Sequence, residues 1–219
     1  MEKKQMKDMT SGSPMKLILS FLIPMLFGLL FQQLYNMVDT IIVGKYLGVN
    51  ALAAVGSTGS INFMIIGFCT GVCSGFSIPV AQKFGEKNEV GLRRFVANGA
   101  WLSIAFAVVM TTVVCLLCRK ILQWMNTPAD IIDGAYAYIF VIFLGIPATY
   151  LYNTLSGIIR SLGDSTTPLL FLLISSLLNV ALDLFTIIGL GMGVEGAAWA
   201  TIISQAVSGV LCLIYMTKK

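Results

Sequence analysis

The chain has 219 residues, of which 57% are hydrophobic and 11% are charged; its formal net charge is +4 and it contains no histidine. Soluble domains usually carry about a quarter charged residues, so this composition excludes an ordinary soluble domain. Pro and Gly are scattered singly through apolar runs, which excludes collagen-like and disordered chains. A membrane-spanning helix needs roughly 20 apolar residues, so the length allows six or seven spans.

Six long apolar runs follow one another along the chain. Short strands of alternating polarity, the pattern of a membrane barrel, do not occur, so the runs are predicted to be helices. The first run follows a basic tail but is too long for a signal peptide and lacks a cleavage site, so we expect it to be retained as a span. The predicted spans are Leu17–Gly44, Ala51–Gln82, Phe95–Cys118, Ile131–Ile159, Pro168–Leu190 and Gly196–Met216.

The distribution of basic residues predicts the orientation of these spans. Of the 14 Lys and Arg residues, eleven fall in the two tails, in the loop after the second span, and at Arg160 in the loop after the fourth. The opposite side holds Lys45, Arg119 and Lys120. Cytoplasmic loops carry the excess of Lys and Arg, so both termini are predicted to be cytoplasmic, which requires an even number of spans. This topology explains the positive charge, and no nucleic-acid partner is expected.

The predicted organisation is therefore an all-α membrane protein in the lipid bilayer, of the bacterial plasma (inner) membrane type. Residues 1–16 form a cytoplasmic tail, residues 17–216 a lobe of six transmembrane helices, and residues 217–219 a second cytoplasmic tail. The five cysteines lie in or at the ends of apolar runs and are predicted to be structural.

Small residues and prolines occur within the runs. Small residues repeat every fourth position in the second and sixth spans, which predicts close helix contacts. Pro24 and Pro147 lie inside the first and fourth spans, where they act either as static kinks or as hinges. The two repeats are Gly67, Gly71 and Gly75, and Gly196, Ala200, Ser204 and Ser208.

Two carboxylates, Asp39 and Asp183, lie inside predicted spans. An Asp at the centre of the bilayer costs about 2.5–3.5 kcal/mol, so it is expected to face a cavity or a partner. Counting 1.5 Å of rise per residue places Asp39, Asp183 and Thr201 roughly 8–11 Å below the extracytoplasmic ends of their helices. Asn179 lies one turn deeper than Asp183 on the same helix face. If these three helices meet, their oxygen atoms suit Na⁺ or a shuttled proton.

Other polar residues near this level leave alternatives open. Gln32, Gln33 and Asn36 precede Asp39 and either line the same cavity or only mediate helix contacts. The Thr201 hydroxyl alone could equally bond back to its own helix.

Several stretches together resemble the multidrug and toxic compound extrusion (MATE) transporters, a group related to lipid-linked oligosaccharide flippases. The resemblance covers essentially the whole chain, and the combination of stretches is more specific than any one of them. The stretches are 33–40 with the following turn at 44–54, 81–87, Gly145-Ile-Pro147, 160–168, and 179–183 continuing through 191–201.

The resemblance implies a non-enzymatic antiporter driven by Na⁺ or H⁺ that exports organic, often cationic, compounds. It implies a cation site at Asp39, Asn179, Asp183 and Thr201, with the Ala197 carbonyl nearby, and any Na⁺ would be held by the first three. No cofactor is implied beyond this coupling ion. Bending of the first helix near Pro24 would connect the occupancy of the site to the shape of the cavity.

Length is where the chain departs from this family. MATE proteins resemble two six-helix bundles with the drug cavity between them, and this chain matches the first bundle only. It is therefore expected to be either a truncated transporter or a natural half that pairs with a second six-helix lobe or with another copy of itself.

Three alternatives stay open at this stage. A flippase of the same superfamily would need a more basic cavity, and no Lys or Arg is expected inside a span. An intramembrane aspartyl protease would use Asp39 and Asp183 as a dyad. An inert fragment would need only stable packing.

Overall fold

The computed structural model describes residues 12–218, and its helices follow the predicted apolar runs, extending most of them by a few residues. The predicted tail residues Lys3, Lys4, Lys7 and Lys219 lie outside the described residues. The α-helices are α1 Pro14–Leu47, α2 Val49–Gly85, α3 Glu89–Trp124, α4 Ile132–Leu144, α5 Ile146–Ser161, α6 Thr166–Leu184 and α7 Val194–Thr217, and a π-helical turn, Phe185–Gly189, continues α6.

These helices make six potential membrane spans. Five of them are long and apolar enough to cross a bilayer by themselves, counting α6 with its π-helical turn as one. The sixth span consists of α4 and α5, which meet at a bend of 44°. The predicted all-α bundle of six spans is therefore confirmed.

The bend falls at the beginning of α5, where Pro147 lies in the first turn. Proline is tolerated there because the first N–H groups of a helix have no intrahelical partner. Pro24, by contrast, lies inside the continuous helix α1. The structure thus locates a bend beside Pro147, and a hinge role for either proline stays a prediction.

Local sequence signals explain where the helices begin. Gly48 joins α1 to α2 as a single linking residue with φ +86°, a conformation that side chains rarely allow. The Asn88 side chain accepts a hydrogen bond from Gly91 N at 2.9 Å and caps α3. Asp164 accepts from the backbone N–H groups of Thr166 and Thr167 at 3.2 and 3.0 Å and so caps α6. These caps stabilise the short connections between long helices.

The packing centres on α5, which contacts α2, α3 and α7, while α6 packs between α7 and α1. Most of the buried apolar side chains form one core shared by α1, α2, α3, α4, α5 and α7, including Phe143, Ile139 and Ile146. This arrangement brings α1, α6 and α7 together at the level where the polar residues lie.

The predicted small-residue contacts occur in α7 but not in α2. Ala200 and Ser204 are buried, and Ser175 of α6 donates a hydrogen bond to the Ser204 carbonyl at 2.6 Å. The prediction was wrong for Gly67, Gly71 and Gly75, since a Cβ added at any of them meets no atom of residues 12–218 within 4 Å. The reason is that α2 turns its opposite face, with buried Ile65, Cys69 and Cys73, toward the bundle.

Glycines that pack against a neighbouring helix are expected to tolerate a large side chain less well than glycines on the open face of α2. We expect Gly157→Leu to lower the free energy of unfolding by about 1–3 kcal/mol or more, because a Cβ at Gly157 would collide with the Ser77 hydroxyl. Gly71→Leu on the open face of α2 should change it little. Thermal unfolding of the detergent-purified chain measures both; equal losses would contradict the described packing of α2 on α5.

Candidate cation site and cavity

The two carboxylates predicted to lie inside the membrane meet between α1 and α6. Asp183 is fully buried and Asp39 is 9% exposed. The two carboxyl groups lie close enough to interact electrostatically with each other. Two ionised carboxylates at this separation repel one another, whereas a shared proton or a bound cation between them would remove the repulsion.

Asn179 and Thr201 extend this pair toward α7. The Asn179 side chain is 2% exposed, and its Nδ2 donates a hydrogen bond to Thr201 Oγ1 at 3.3 Å. Ala197 is fully buried one turn before Thr201. The first, fifth and sixth spans therefore converge at the level counted from the sequence.

Several oxygen atoms of this cluster have no hydrogen-bond partner among residues 12–218. They are Asp39 Oδ1, both carboxyl oxygens of Asp183 and Asn179 Oδ1. An unsatisfied buried polar group costs about 1–3 kcal/mol, and more when it is charged. Such oxygens, together with the Thr201 hydroxyl, have the ligand chemistry that a hard cation such as Na⁺ prefers.

The backbone beside Asp183 is also unusual, because α6 changes there to a π-helical turn. The Leu190 N–H bonds to the Phe185 carbonyl at 2.9 Å, one residue further back than in an α-helix. The Thr186 hydroxyl donates to the Leu182 carbonyl at 2.9 Å. Single π-helical turns often occur at functional sites, where they reorient the adjacent side chains.

A cavity of about 200 Å³ leads away from this cluster between α1, α2, α5, α6 and α7. It ends at Asn179 and Thr201, one turn short of Asp183. Its wall is apolar at Leu169 and Leu172 and polar at Gln205. The cavity therefore connects the polar cluster to the bundle's opposite end.

Only one of three candidate lining residues on α1 borders the cavity. Gln32 lines it, whereas Gln33 and Asn36 are exposed on another face of α1. Asn36 Nδ2 and Gln33 Oε1 lie 3.4 Å apart there. The helical period explains this, because Gln32 shares a face with Asp39 seven residues on, and Gln33 and Asn36 are rotated away from it.

Sequence reasoning missed four polar residues near the site. The Tyr138 side chain lies near both Asp39 and Asp183, and the Tyr35 side chain lies near Asp39 and Gln205. The Thr149 hydroxyl donates to Gln205 Oε1 at 2.6 Å. Tyr35 lies one turn before Asp39, which was an available signal. No such sequence signal exists for Tyr138 and Gln205, since their neighbours depend on how α4 and α7 pack.

Arg160 also differs from its expected position. It was assigned to a loop, but it lies in the last turn of α5 and lines the cavity at the end away from Asn179. Arg160 is the penultimate residue of α5, so the expectation that no Lys or Arg lies in the interior of a span stays a prediction.

Comparison with known proteins identifies similar sequences. A family model described as MatE matches residues 24–185. "Probable multidrug resistance protein YoeA" of Bacillus subtilis is 32% identical over 203 residues, covering 91% of this chain and 44% of that protein. "Probable multidrug resistance protein NorM" of Thermotoga maritima is 28% identical over 193 residues, covering 86% and 41%. The chain spans about half the length of the curated relatives it matches.

Solved structures agree with this comparison. A structure described as the "Outward-facing conformation of a multidrug resistance MATE family transporter of the MOP superfamily" matches 99% of this chain and 48% of that one, at 29% identity and a TM-score of 0.90. "Crystal structure of MATE in the bent conformation" matches 94% and 46%, at 30% identity and a TM-score of 0.87. The six-span bundle thus has the fold of about half of such a transporter.

Proposed function

Because the chain belongs to the MatE family of multidrug and toxic compound extrusion transporters, we propose that it forms the cation-binding lobe of an antiporter that exports organic compounds. The chain is a multi-pass protein of the plasma membrane. We propose further that Na⁺ or H⁺ drives the export, and that the lobe is oriented with both termini in the cytoplasm.

The observation that carries this proposal is the cluster of unpartnered buried oxygens at Asp39, Asn179 and Asp183. Their arrangement is unfavourable for stability alone, since these four oxygens have no hydrogen-bond partner among residues 12–218. Binding of a cation between them offsets this cost, and Thr201 Oγ1 adds a further ligand. In the proposed antiport, the two Asp residues hold Na⁺ or the proton, and Asn179, Thr201 and the Ala197 carbonyl complete the shell.

The packing of α1 supports a mechanism by which occupancy of the cation site changes the shape of the cavity. The buried residues of α1 are Asp39, Ile42 and Val43, so the helix is anchored at its second half. Its first half, with Pro24 lining the cavity, makes fewer buried contacts. We propose that the bound ion draws Asp39 toward Asp183 and that α1 bends at Pro24 as a result. This bend would change the shape of the cavity.

Transport is proposed to need a second lobe. Alternating access requires two bodies that rock around a shared site, and the described residues form a single six-span lobe. The partner is either a second six-helix lobe or another copy of this chain, and the substrate, an organic and often cationic compound, would bind between them.

The alternatives receive less support. A flippase would use several cationic groups, and Arg160 is the one that lines the cavity among the described residues. The aspartyl-protease alternative would use the same two carboxyls as the proposed cation site. The relatives named above are multidrug resistance proteins, which favours the cation site.

Ethidium efflux tests the proposed function. Cells would express the chain together with the part of the Bacillus subtilis relative that it does not match. We expect Asp183→Asn and Asp39→Asn each to abolish efflux, because neither variant can hold the cation. Asp133→Asn, which removes an exposed partner of Arg119, should transport normally. Full efflux by the two site variants would refute the assigned cation site.

A further inference from the structure

A second cavity, of about 540 Å³, lies at the end of the bundle where α2, α5 and α7 end and α3 begins. It shares no lining residue with the cavity below the carboxyl pair, so it is not part of the proposed cation site. Its wall combines apolar side chains with one guanidinium, two carboxylates and one tyrosine. These residues are Phe84, Leu92, Ile159, Leu162 and Met216, with Arg93, Glu89, Asp164 and Tyr215.

The same end of the bundle carries an excess of positive charge. Among residues 12–218 it holds seven Lys and Arg residues and three carboxylates, whereas the opposite end holds three basic and three acidic residues. The potential of this end therefore attracts anions. The seven basic residues are Lys16, Lys83, Lys87, Arg93, Arg94, Arg160 and Lys218, and the three acidic ones are Glu86, Glu89 and Asp164.

Arg93 brings this charge into the cavity, and no carboxylate of residues 12–218 neutralises it. The ion pairs found in this part of the chain do not involve Arg93. Glu89 lies one turn before it on α3 without pairing with it, and the Asp164 carboxylate accepts the Tyr215 hydroxyl at 2.7 Å. The guanidinium is thus available to an anion that enters the cavity.

The apolar part of the wall determines which anion fits. A guanidinium binds phosphate oxygens by paired hydrogen bonds. A free phosphate ion would leave Leu92, Leu162 and Met216 without a partner, whereas the glycerol and first acyl carbons of a phospholipid would cover them. The cavity also lies at the ends of the spans, where headgroups are found, and basic pockets at this level between transmembrane helices bind anionic headgroups.

We propose that the cavity at Arg93 is a binding site for the headgroup of an anionic phospholipid. Arg93 binds the phosphodiester, and the apolar wall receives the glycerol backbone. The bound lipid contacts the ends of α3, α5 and α7 at the same time, because all three contribute to the wall. This inference goes beyond the proposed function and does not depend on the two carboxyls of the cation site.

Binding of two lipids to the detergent-purified chain tests the proposal. Phosphatidylglycerol, which is anionic, and phosphatidylcholine with the same acyl chains would each be titrated, and native mass spectrometry gives both dissociation constants. A further series adds inorganic phosphate as a competitor. We expect phosphatidylglycerol to bind at least about fivefold more tightly than phosphatidylcholine, which is the factor that one basic residue contributes near a membrane surface.

Arg93→Gln should weaken phosphatidylglycerol binding about fivefold and leave phosphatidylcholine binding unchanged. Arg93→Lys should retain most of the preference, since it keeps the charge. Leu162→Trp fills the cavity without changing its charge and should weaken the binding of both lipids. The matched control is Arg94→Gln, which removes an equal charge from an exposed residue that does not line the cavity and should retain the preference.

Three results would overturn the proposal. One is equal binding of the two lipids by the wild-type chain. Another is an equal effect of Arg93→Gln and Arg94→Gln, whether both lose the preference or both keep it, because the attraction would then belong to the basic end as a whole. The third is displacement of phosphatidylglycerol by an equal concentration of inorganic phosphate, which would assign the cavity to a free anion. Arg93 is exposed, so its substitution removes no buried contact that the fold requires.

Discussion

Asp183→Asn is expected to raise the melting temperature of the cation-free lobe and to abolish its stabilisation by the coupling cation. Asp183 is fully buried and neither of its oxygens has a hydrogen-bond partner among the described residues. The substitution removes the repulsion between two carboxylates and introduces an amide that can donate to Asp39. We therefore expect the free energy of unfolding to increase by about 1–3 kcal/mol without the cation.

The loss of cation response is the larger effect. A ligand that binds only the folded state at 100 times its Kd stabilises it by about 2.7 kcal/mol. We expect the coupling cation to increase the free energy of unfolding of the wild-type chain by about this amount and not to increase that of the variant. Thermal unfolding in detergent measures it in two series, one with increasing Na⁺ at constant pH and one with decreasing pH without Na⁺, which also separates the two coupling ions.

Asp133→Asn provides the matched control for this experiment. Its carboxylate is exposed and pairs with Arg119 at 3.4 Å, so the substitution should shift the free energy of unfolding by no more than about 1 kcal/mol and leave the cation response unchanged. A wild-type lobe that is stabilised by neither ion, or an Asp183→Asn variant that keeps the response, would contradict the assigned site.

The second large effect is expected from the partner lobe. We expect the 219-residue chain expressed by itself to bind the coupling cation but to export no ethidium. Co-expression with the part of the Bacillus subtilis relative that the chain does not match should restore efflux. The physical reason is that a single rigid lobe can hold an ion but cannot expose one cavity alternately to the two sides of a membrane.

Fluorescence of ethidium in loaded cells measures this prediction, and cross-linking separates the two kinds of partner. Efflux by the chain alone, with a cross-linked dimer, would show that another copy supplies the second lobe. Efflux by the chain alone as a monomer would contradict the requirement for two lobes. Equal expression of each form must be established by immunoblot.

Much of the architecture could be predicted from single residues and their spacing. The six spans follow from apolar runs of sufficient length, because a bilayer leaves a backbone few ways to satisfy its hydrogen bonds. The level shared by Asp39, Asp183 and Thr201 also follows from counting, since helical rise is constant. Their meeting did not follow, because equal depth does not determine which helices are neighbours.

Residues whose role depends on rotation about a helix axis were predicted less well. Gln33 and Asn36 are as close to Asp39 in sequence as Gln32, yet they point away from the cavity. Gly71 repeats with small residues like Ala200, yet its face of α2 meets no other helix among the described residues. In both cases the periodic pattern indicates a face, and only the neighbouring helices decide what that face contacts.

The amino-acid sequence by itself determined that this protein spans a membrane six times and carries two carboxylates at one depth within it. Hydrophobicity and helical rise are local properties, and they need no knowledge of the partners of each helix. The tertiary structure decided that Asp39 faces Asp183, that Tyr138 lies beside them, that Gln205 accepts a hydrogen bond from Thr149, and that Arg160 lines the cavity. These contacts depend on the packing order and rotation of α1, α5, α6 and α7, which arise only when all the helices compete for the same interior.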